Sequence, residues 1–138
     1  MARSPRRGTF RAVLYCDLDD FKPVNDRYGH AMGDEVLMEV ARRIESCAPD
    51  DAVVGRIGGD EFLVFLQSCT GLEAALAVAQ CVLDSVKRPI HIDGTELSIT
   101  LSAGVGLAAP GDDADAVIAK ADEALYSAKG GGRDRVVA

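Results

Sequence analysis

Apolar residues alternate between short runs and helical stripes along the chain, and the two patterns predict its secondary structure. Short apolar runs, typical of buried strands, cover residues 11–16, 53–57, 62–66 and 101–108. Apolar positions at helical spacing, with charged positions opposite, predict helices over residues 34–47, 72–86 and 117–128. Weaker patterns indicate a turn or short helix at 21–28, a hairpin joining 90–92 to 96–99, and an edge strand at 135–137.

Residues suited to helix ends set the expected boundaries. Thr70 and Glu73 have capping-box spacing ahead of the second helical stripe, residues 72–86. Either Asp113 or Asp115 is placed to cap the last helix, which the glycines at 130–132 end. Asp34 is likewise placed to act as the N-cap of the helix that follows it.

The order of elements predicts the fold class. Strands and helices follow one another as β-α-β-β-α-β-α-β, with two further short strands before the long strand at 101–108. This order has neither the strict alternation of a doubly wound fold nor the regular strand spacing of a sandwich. We expect an α+β domain whose central, mainly antiparallel sheet is flanked by helices, of the ferredoxin-like or polymerase-palm kind.

Composition and charge narrow the possible partners. The chain has 138 residues, enough for one domain, and its net charge is −7. Arg3, Arg6, Arg7 and Arg11 leave 11 basic against 22 acidic residues in the remainder. We expect residues 1–10 to be a basic disordered start or linker, and no nucleic-acid partner, because an acidic surface repels a phosphate backbone. The longest apolar run has six residues, so no membrane-spanning segment is expected.

The four cysteines carry no metal-binding pattern. Cys16, Cys47, Cys69 and Cys81 form no C-x-x-C pair, and the only histidines are His30 and His91. Cys16, Cys47 and Cys81 lie in apolar segments and fit small buried hydrophobes. Reduced cysteines in a reducing compartment, the cytoplasm, are the expectation.

Carboxylates stand at two predicted strand ends. Asp17 follows the first strand, and Asp60 and Glu61 follow Gly58 and Gly59 at the tip of the first hairpin. If the strands are neighbours, these carboxylates crowd at one sheet edge, and a hard divalent ion, Mg²⁺ first or Mn²⁺, would relieve their repulsion. The alternative is that the acids are solvated strand ends and that the glycines only form the hairpin turn.

Four blocks of sequence, in order, resemble the GGDEF family, the diguanylate cyclases. They are DLDDFKPVNDRYGHAMGDEVL at 17–37, RIGGDEF at 56–62, SAGVG at 102–106, and ADEALYSAK at 121–129 followed by Gly132 and Arg133. The resemblance runs from about Arg11 to residue 138 and implies a nucleotidyl-cyclase type of palm fold. Single motifs of this kind are weak, whereas four in register are specific.

The resemblance implies a reaction and its partners. Two GTP molecules give cyclic di-GMP and two pyrophosphates, with one GTP held by each domain of a homodimer. The alternative is a GTP-binding GGDEF module without catalysis that regulates or scaffolds a partner domain. A sensory or phosphodiesterase domain, fused or separate, is the expected partner in either case.

The resemblance also implies roles for named residues. The metal ligands are Asp17, Asp60 and the carbonyl of Leu18. Asp60 is also the family's general base, a role that a metal-bound carboxylate fills poorly, and Glu61 beside it in the catalytic motif makes local polar contacts. Asp19 is expected to be structural.

The substrate-binding residues follow from the same resemblance. Asn25 and Asp34 match the guanine-binding pair, because a carboxylate accepts hydrogen bonds from guanine N1–H and its 2-amino group, which adenine does not offer. His30 either touches the nucleotide or is a turn histidine. The triphosphate is expected to contact Lys22, Lys129 and Arg133.

Two departures from the family qualify this picture. The usual segment and helix before the first strand are missing, so residues 11–138 are expected to form a GGDEF domain with part of a sheet face uncovered. The inhibitory Arg-x-x-Asp motif of many members is replaced by Pro-Asp-Asp-Ala at 49–52. We therefore expect no product inhibition by that route.

Overall fold

A long central strand organises the main sheet of the computed structural model, which describes residues 11–138. This strand, β1 (Ala12–Asp19), pairs antiparallel with β3 (Glu61–Leu66) on one side and β6 (Thr100–Leu107) on the other. Strand β2 (Val53–Arg56) extends the sheet beside β3, and β7 (Val136–Val137) adds a short parallel edge beside β6. The order is β2-β3-β1-β6-β7, so β1 is covered on both edges.

Helices cover both faces of this sheet. They are α1 (Lys22–Tyr28), α2 (His30–Cys47), α3 (Leu72–Lys87) and α4 (Ala114–Gly130), and a separate hairpin joins β4 (Ile90–Ile92) to β5 (Thr95–Leu97). Alternate residues of β1 face opposite sides: Leu14 and Leu18 pack into the main core with α2 and α3, whereas Val13 packs with Val117 and Ala121 of α4. The predicted α+β architecture is confirmed.

Helix α4 lies unusually close to β6 because two glycines leave room for it. A β-carbon on Gly104 would overlap the Ala121 carbonyl oxygen and the Leu125 nitrogen of α4. One on Gly106 would lie 2.5 Å from the Val117 carbonyl oxygen. Backbone therefore packs directly on backbone, which fixes where the C-terminal end of α4 stands relative to β1.

The helix boundaries correct two predictions and decide a third. Helix α2 begins at His30, because Gly29 turns the chain with φ at 92°, so Asp34 lies in the second turn and is not the N-cap. The N-cap of α3 is Gly71 without a side-chain hydrogen bond, so the capping box predicted from Thr70 does not form. Asp113 caps α4, its carboxylate accepting from the Ala116 N–H at 2.9 Å.

Hydrogen bonds from one arginine and a disulfide join α2 to α3. The guanidinium of Arg43 donates to the carbonyl oxygens of Ser85 at 2.8 Å and Arg88 at 2.7 Å, at the C-terminal end of α3. Cys47 and Cys81 form a disulfide with their Cα atoms 5.9 Å apart. The expectation that these two cysteines are reduced is wrong, because helix packing brings together positions that the sequence separates by 34 residues.

Two further expectations concern the first ten residues and membrane-spanning segments. The basic linker expected at residues 1–10 lies outside the described residues. Within residues 11–138, no helix combines the length and the apolar character needed to cross a bilayer.

Candidate functional site

The two carboxylate-bearing tips predicted from the sequence lie side by side. Asp17 of β1 stands opposite Glu61 of β3 in the sheet register, and the Leu18 N–H donates to the Asp60 carbonyl oxygen at 3.1 Å. Burial is the largest influence on Asp17. Together with the charges of Asp60 and Glu61, it raises the pKa of the Asp17 carboxyl to about 6, against the lowering effect of Lys129.

This crowding is the condition under which a cation stabilises carboxylates. Within residues 11–138, no cluster of three or more His, Cys, Asp or Glu side chains is close enough to hold an ion. An ion here would draw on two carboxylates, Asp17 and Asp60, and on the Leu18 carbonyl, with further oxygens from a ligand. Such an all-oxygen donor set suits Mg²⁺ or Mn²⁺, which keep open positions for phosphate oxygens and water.

Lys129, at the end of α4, reaches into the same place. Its Nζ lies 2.8 Å from Oδ1 of Asp19, 3.4 Å from the Leu18 carbonyl oxygen and 3.5 Å from Oδ2 of Asp17. The ammonium group therefore partly neutralises the carboxylates at this edge of the sheet.

Asp19 is the centre of a buried polar network. Its side chain is 3% exposed and accepts hydrogen bonds from Thr100 and Ser102 hydroxyls at 2.7 Å, Lys129 Nζ at 2.8 Å and the Asp134 N–H at 3.0 Å. Burial alone would raise the pKa of Asp19, but the four hydrogen bonds outweigh it and hold the pKa below its ordinary value. We refer to Asp17, Leu18, Asp19, Lys129 and Asp134 as the network side of the site.

The loop that carries Arg133 is attached to this network. Arg133 and Asp134 have φ values of 67° and 50°, a left-handed conformation that non-glycine residues adopt at some cost. The bond from the Asp134 N–H to Asp19 keeps the loop in this conformation. The Arg133 side chain is exposed, and Lys87 pairs with Asp134 at 3.1 Å.

On the other side of Asp60 is a cleft of about 340 Å³ between α1, α2 and the β2–β3 tip. The predicted residues Lys22, Asn25, His30 and Asp34 all line it, and we call these four the helix side. Asp60 lines the same cleft and so joins the two sides. The remaining walls are Phe21, Leu37, Arg56 and Gly59.

Three of the four side chains of the helix side are held loosely. Lys22 forms an ion pair with Asp26 at 3.1 Å, with the two side chains 84% and 64% exposed. His30 and Asp34 are exposed, and Asn25 is half-buried. Lys22, His30 and Asp34 are therefore free to turn toward a ligand at little cost in folding energy.

Glu61 points away from the cleft. Its Oε1 accepts a hydrogen bond from the Tyr15 hydroxyl at 3.4 Å. Burial, and then the charge of Glu61, raise the pKa of Tyr15. A β-carbon on Gly58 would lie 2.9 Å from the same Oε1, so the glycine leaves room for Glu61 to fold beneath the tip.

Arg56 is a cleft residue that sequence reasoning did not single out. It ends β2, two residues before the paired glycines, and its side chain is exposed. With Lys22 it adds a second cation to a cleft that also contains Asp34 and Asp60, which suits an anionic ligand. Its position two residues ahead of Gly58 was the available signal. Two larger cavities, of about 570 and 600 Å³, contain none of the predicted residues.

Comparisons with known proteins agree with the resemblance seen in the sequence. The family described as "Diguanylate cyclase, GGDEF domain" matches residues 1–135. The chain is 46% identical over 122 residues to the cyclic di-GMP phosphodiesterase PdeR of Escherichia coli, covering 88% of this chain and 18% of that protein. It is 42% identical over 127 residues to diguanylate cyclase A of Treponema denticola, covering 91% and 34%. The chain thus spans about a third or less of the length of these relatives.

A solved structure extends the agreement to three dimensions. The crystal structure of diguanylate cyclase SiaD with its activator SiaC, from Pseudomonas aeruginosa, superposes with a TM-score of 0.87 at 40% identity. The match covers 98% of this chain and 52% of that one.

Proposed function

Because the chain belongs to the GGDEF domain family of diguanylate cyclases, we propose that it condenses two GTP molecules into cyclic di-GMP and two pyrophosphates. In each half-reaction a 3′-hydroxyl oxygen bonds to the α-phosphorus of the opposite GTP, the bond to pyrophosphate breaks, and the hydroxyl proton is released. The observation that carries the proposal is the continuity of the cleft, which joins Asn25 and Asp34 to Asp60 at the crowded carboxylates.

The helix side selects the nucleotide base, guanine rather than adenine. The Asp34 carboxylate, exposed at the rim of the cleft, accepts hydrogen bonds from guanine N1–H and the 2-amino group. Adenine leaves that carboxylate without donors, which is the kind of mismatch that discriminates strongly. Asn25 completes the base contacts from α1, and His30 and Lys22 border the sugar and phosphates.

The network side supplies the phosphate and metal chemistry. Asp17, Asp60 and the Leu18 carbonyl would hold Mg²⁺ or Mn²⁺, which neutralises charge on the phosphates and favours the ionised 3′-hydroxyl. Lys129 is held by Asp19 within reach of the same phosphates. Arg133 has the planar fork for a bidentate phosphate contact from the neighbouring loop. Metal binding leaves Asp60 little basicity, so its ligand role outweighs a role as general base.

Catalysis in this scheme needs two copies of the domain. One cleft holds one GTP, so the second nucleotide comes from a facing copy, and a homodimer is the catalytic form. A sensory or phosphodiesterase domain, fused or separate, would bring the copies together. The supply of GTP places the reaction in the cytoplasm.

Incubation with GTP and Mg²⁺, followed by chromatography of the products, tests the proposal. We expect cyclic di-GMP from the wild type and none from Asp60→Ala. Asp50→Ala, at an exposed position away from the cleft, is the matched control and should retain activity. Loss of a metal carboxylate accounts for the difference.

A second candidate is a GTP-binding regulatory module without catalysis. One observation favours it: PdeR, which is 46% identical over the matched region, is named as a phosphodiesterase. GTP binding without cyclic di-GMP, even at high protein concentration where dimers form, would select this candidate. Absence of GTP binding would contradict both.

Product inhibition through the family's Arg-x-x-Asp motif is not expected. The positions of the motif's Arg and Asp hold Pro49 and Ala52, and Asp51 beside them accepts a hydrogen bond from the Ser68 hydroxyl at 2.5 Å. Titration of the purified chain with cyclic di-GMP checks this. Tight binding that Asp51→Ala abolishes would overturn it.

A further inference from the structure

Gly33 lies inside α2, one residue before Asp34, and its backbone conformation does not require glycine. Its φ is outside the left-handed region, unlike that of Gly29, and its N–H donates to the Gly29 carbonyl at 3.1 Å. Glycine inside a helix lowers helix stability relative to alanine. The structural role of Gly33 therefore lies in the side chain that it lacks.

A side chain at position 33 would take the space that Asn25 occupies. A β-carbon built on Gly33 overlaps Oδ1 of Asn25 and lies 3.0 Å from its Cγ and 3.3 Å from Cζ of Phe21. Phe21 is 6% exposed and belongs to the main core, so its ring is confined by close packing. Asn25 is half-buried at the cleft, so its amide is the group that would move.

We propose that Gly33 is a positioning residue that keeps the Asn25 amide beside Asp34 for recognition of guanine, an inference that rests on the proposed function. Asn25 comes from α1 and Asp34 from α2, and both line the same cleft. The Gly29 N–H donates to the Asn25 carbonyl at 2.8 Å, which fixes the backbone between the two helices. The packing of the Asn25 amide against Gly33 then fixes its side chain.

The role of Gly33 differs from that of Gly29 in a way that can be tested. Gly29 has open space around its Cα and a φ of 92°, so its role is to turn the chain between α1 and α2. Gly33 has ordinary helical backbone and a filled neighbourhood. A substitution at Gly33 should therefore act through Asn25, and removal of the Asn25 side chain should make it harmless.

A double-mutant cycle of Gly33→Ala and Asn25→Ala tests this role. Affinity is measured calorimetrically with 3′-deoxy-GTP and Mg²⁺, because this nucleotide lacks the attacking hydroxyl and is not turned over. We expect Gly33→Ala to weaken binding about tenfold, as for loss of one hydrogen bond to the base. In the Asn25→Ala background, Gly33→Ala should cause no further loss.

Thermal melting of the same four proteins separates positioning from folding. We expect Gly33→Ala to melt no lower than the wild type. If Gly33→Ala instead melts at a lower temperature, recovery of the melting temperature in the double variant would support the same contact. Equal losses of affinity from Gly33→Ala in both backgrounds, or no loss in the wild-type background, would overturn the role of Gly33 alone. A wild-type chain that binds no 3′-deoxy-GTP would overturn the proposed function with it.

Discussion

The two sides of the cleft are built in opposite ways. On the network side, one buried carboxylate, Asp19, satisfies four donors from β6, α4 and the loop after α4. On the helix side, Lys22 and Asp34 are exposed, and Lys22 forms an ion pair with the solvent-exposed Asp26. The fold thus holds Asp19 and Lys129 in place, whereas Lys22 and Asp34 are free to adjust to a ligand.

The largest effect expected from this difference is on stability, with Asp19→Ala. The substitution leaves Lys129 without its closest partner and removes the acceptor of the buried Ser102 hydroxyl and of the half-buried Thr100 hydroxyl. We expect a loss of about 4 kcal/mol in the free energy of unfolding, measured by urea denaturation. Asp26→Ala, which breaks the exposed pair with Lys22, is the control and should cost less than about 0.5 kcal/mol. Similar losses for the two variants would contradict the comparison.

A second test of the network side addresses the contact between α4 and β6. Gly104→Ala would place a methyl group into the backbone of α4 at Ala121 and Leu125. We expect a loss of about 2–3 kcal/mol, because α4 must move away from the sheet. Gly55→Ala, at a strand glycine with nothing within 4 Å, is the matched control and should be nearly neutral. A neutral Gly104→Ala would show that α4 is not held as closely as described.

Much of this comparison could be predicted from the sequence. Apolar periodicity located the strands and helices, because a sheet covered on both faces leaves a strong pattern. The proximity of Asp17 and Asp60 was predicted because both residues lie at strand ends. The pairing of β1 with β3 brings those two ends together. Short-range sequence patterns were therefore sufficient to predict the fold class and the carboxylates at this edge of the sheet.

Long-range contacts could not be predicted in the same way. Asp19 finds its partners 81 to 115 residues away, and no local pattern marks Thr100, Ser102 or the Asp134 N–H as donors to it. The Cys47–Cys81 disulfide likewise depends on how α2 packs against α3. The early start of α2 was hidden because its first turn lacks an apolar stripe and depends on the conformation of Gly29.

The helix side should show the reverse behaviour, a loss of binding without loss of stability. Asp34→Asn replaces one acceptor oxygen by a donor that opposes the guanine 2-amino group or N1–H. We expect 3′-deoxy-GTP to bind about 30-fold more weakly, with the unfolding free energy changed by less than about 0.5 kcal/mol. Glu35→Gln, at the next exposed position, is the control for loss of charge. A large fall in the stability of Asp34→Asn would erase the distinction between the two sides.

The smallest effect concerns the two free thiols, and it reports on opening of the network side. Cys16 precedes Asp17 in β1 and is fully buried, and burial, followed by the charge of Asp17, raises the pKa of its thiol to about 12. At pH 8 only about one Cys16 in ten thousand is a thiolate, so a thiol reagent should modify Cys69 rapidly and Cys16 only when β1 is exposed. Mass spectrometry of the native chain should therefore show one modification early, and Asp19→Ala should accelerate the second far more than Asp34→Asn does. Equal acceleration by both variants would mean that the helix side also holds β1 closed, because the rate of Cys16 modification follows the free energy of opening.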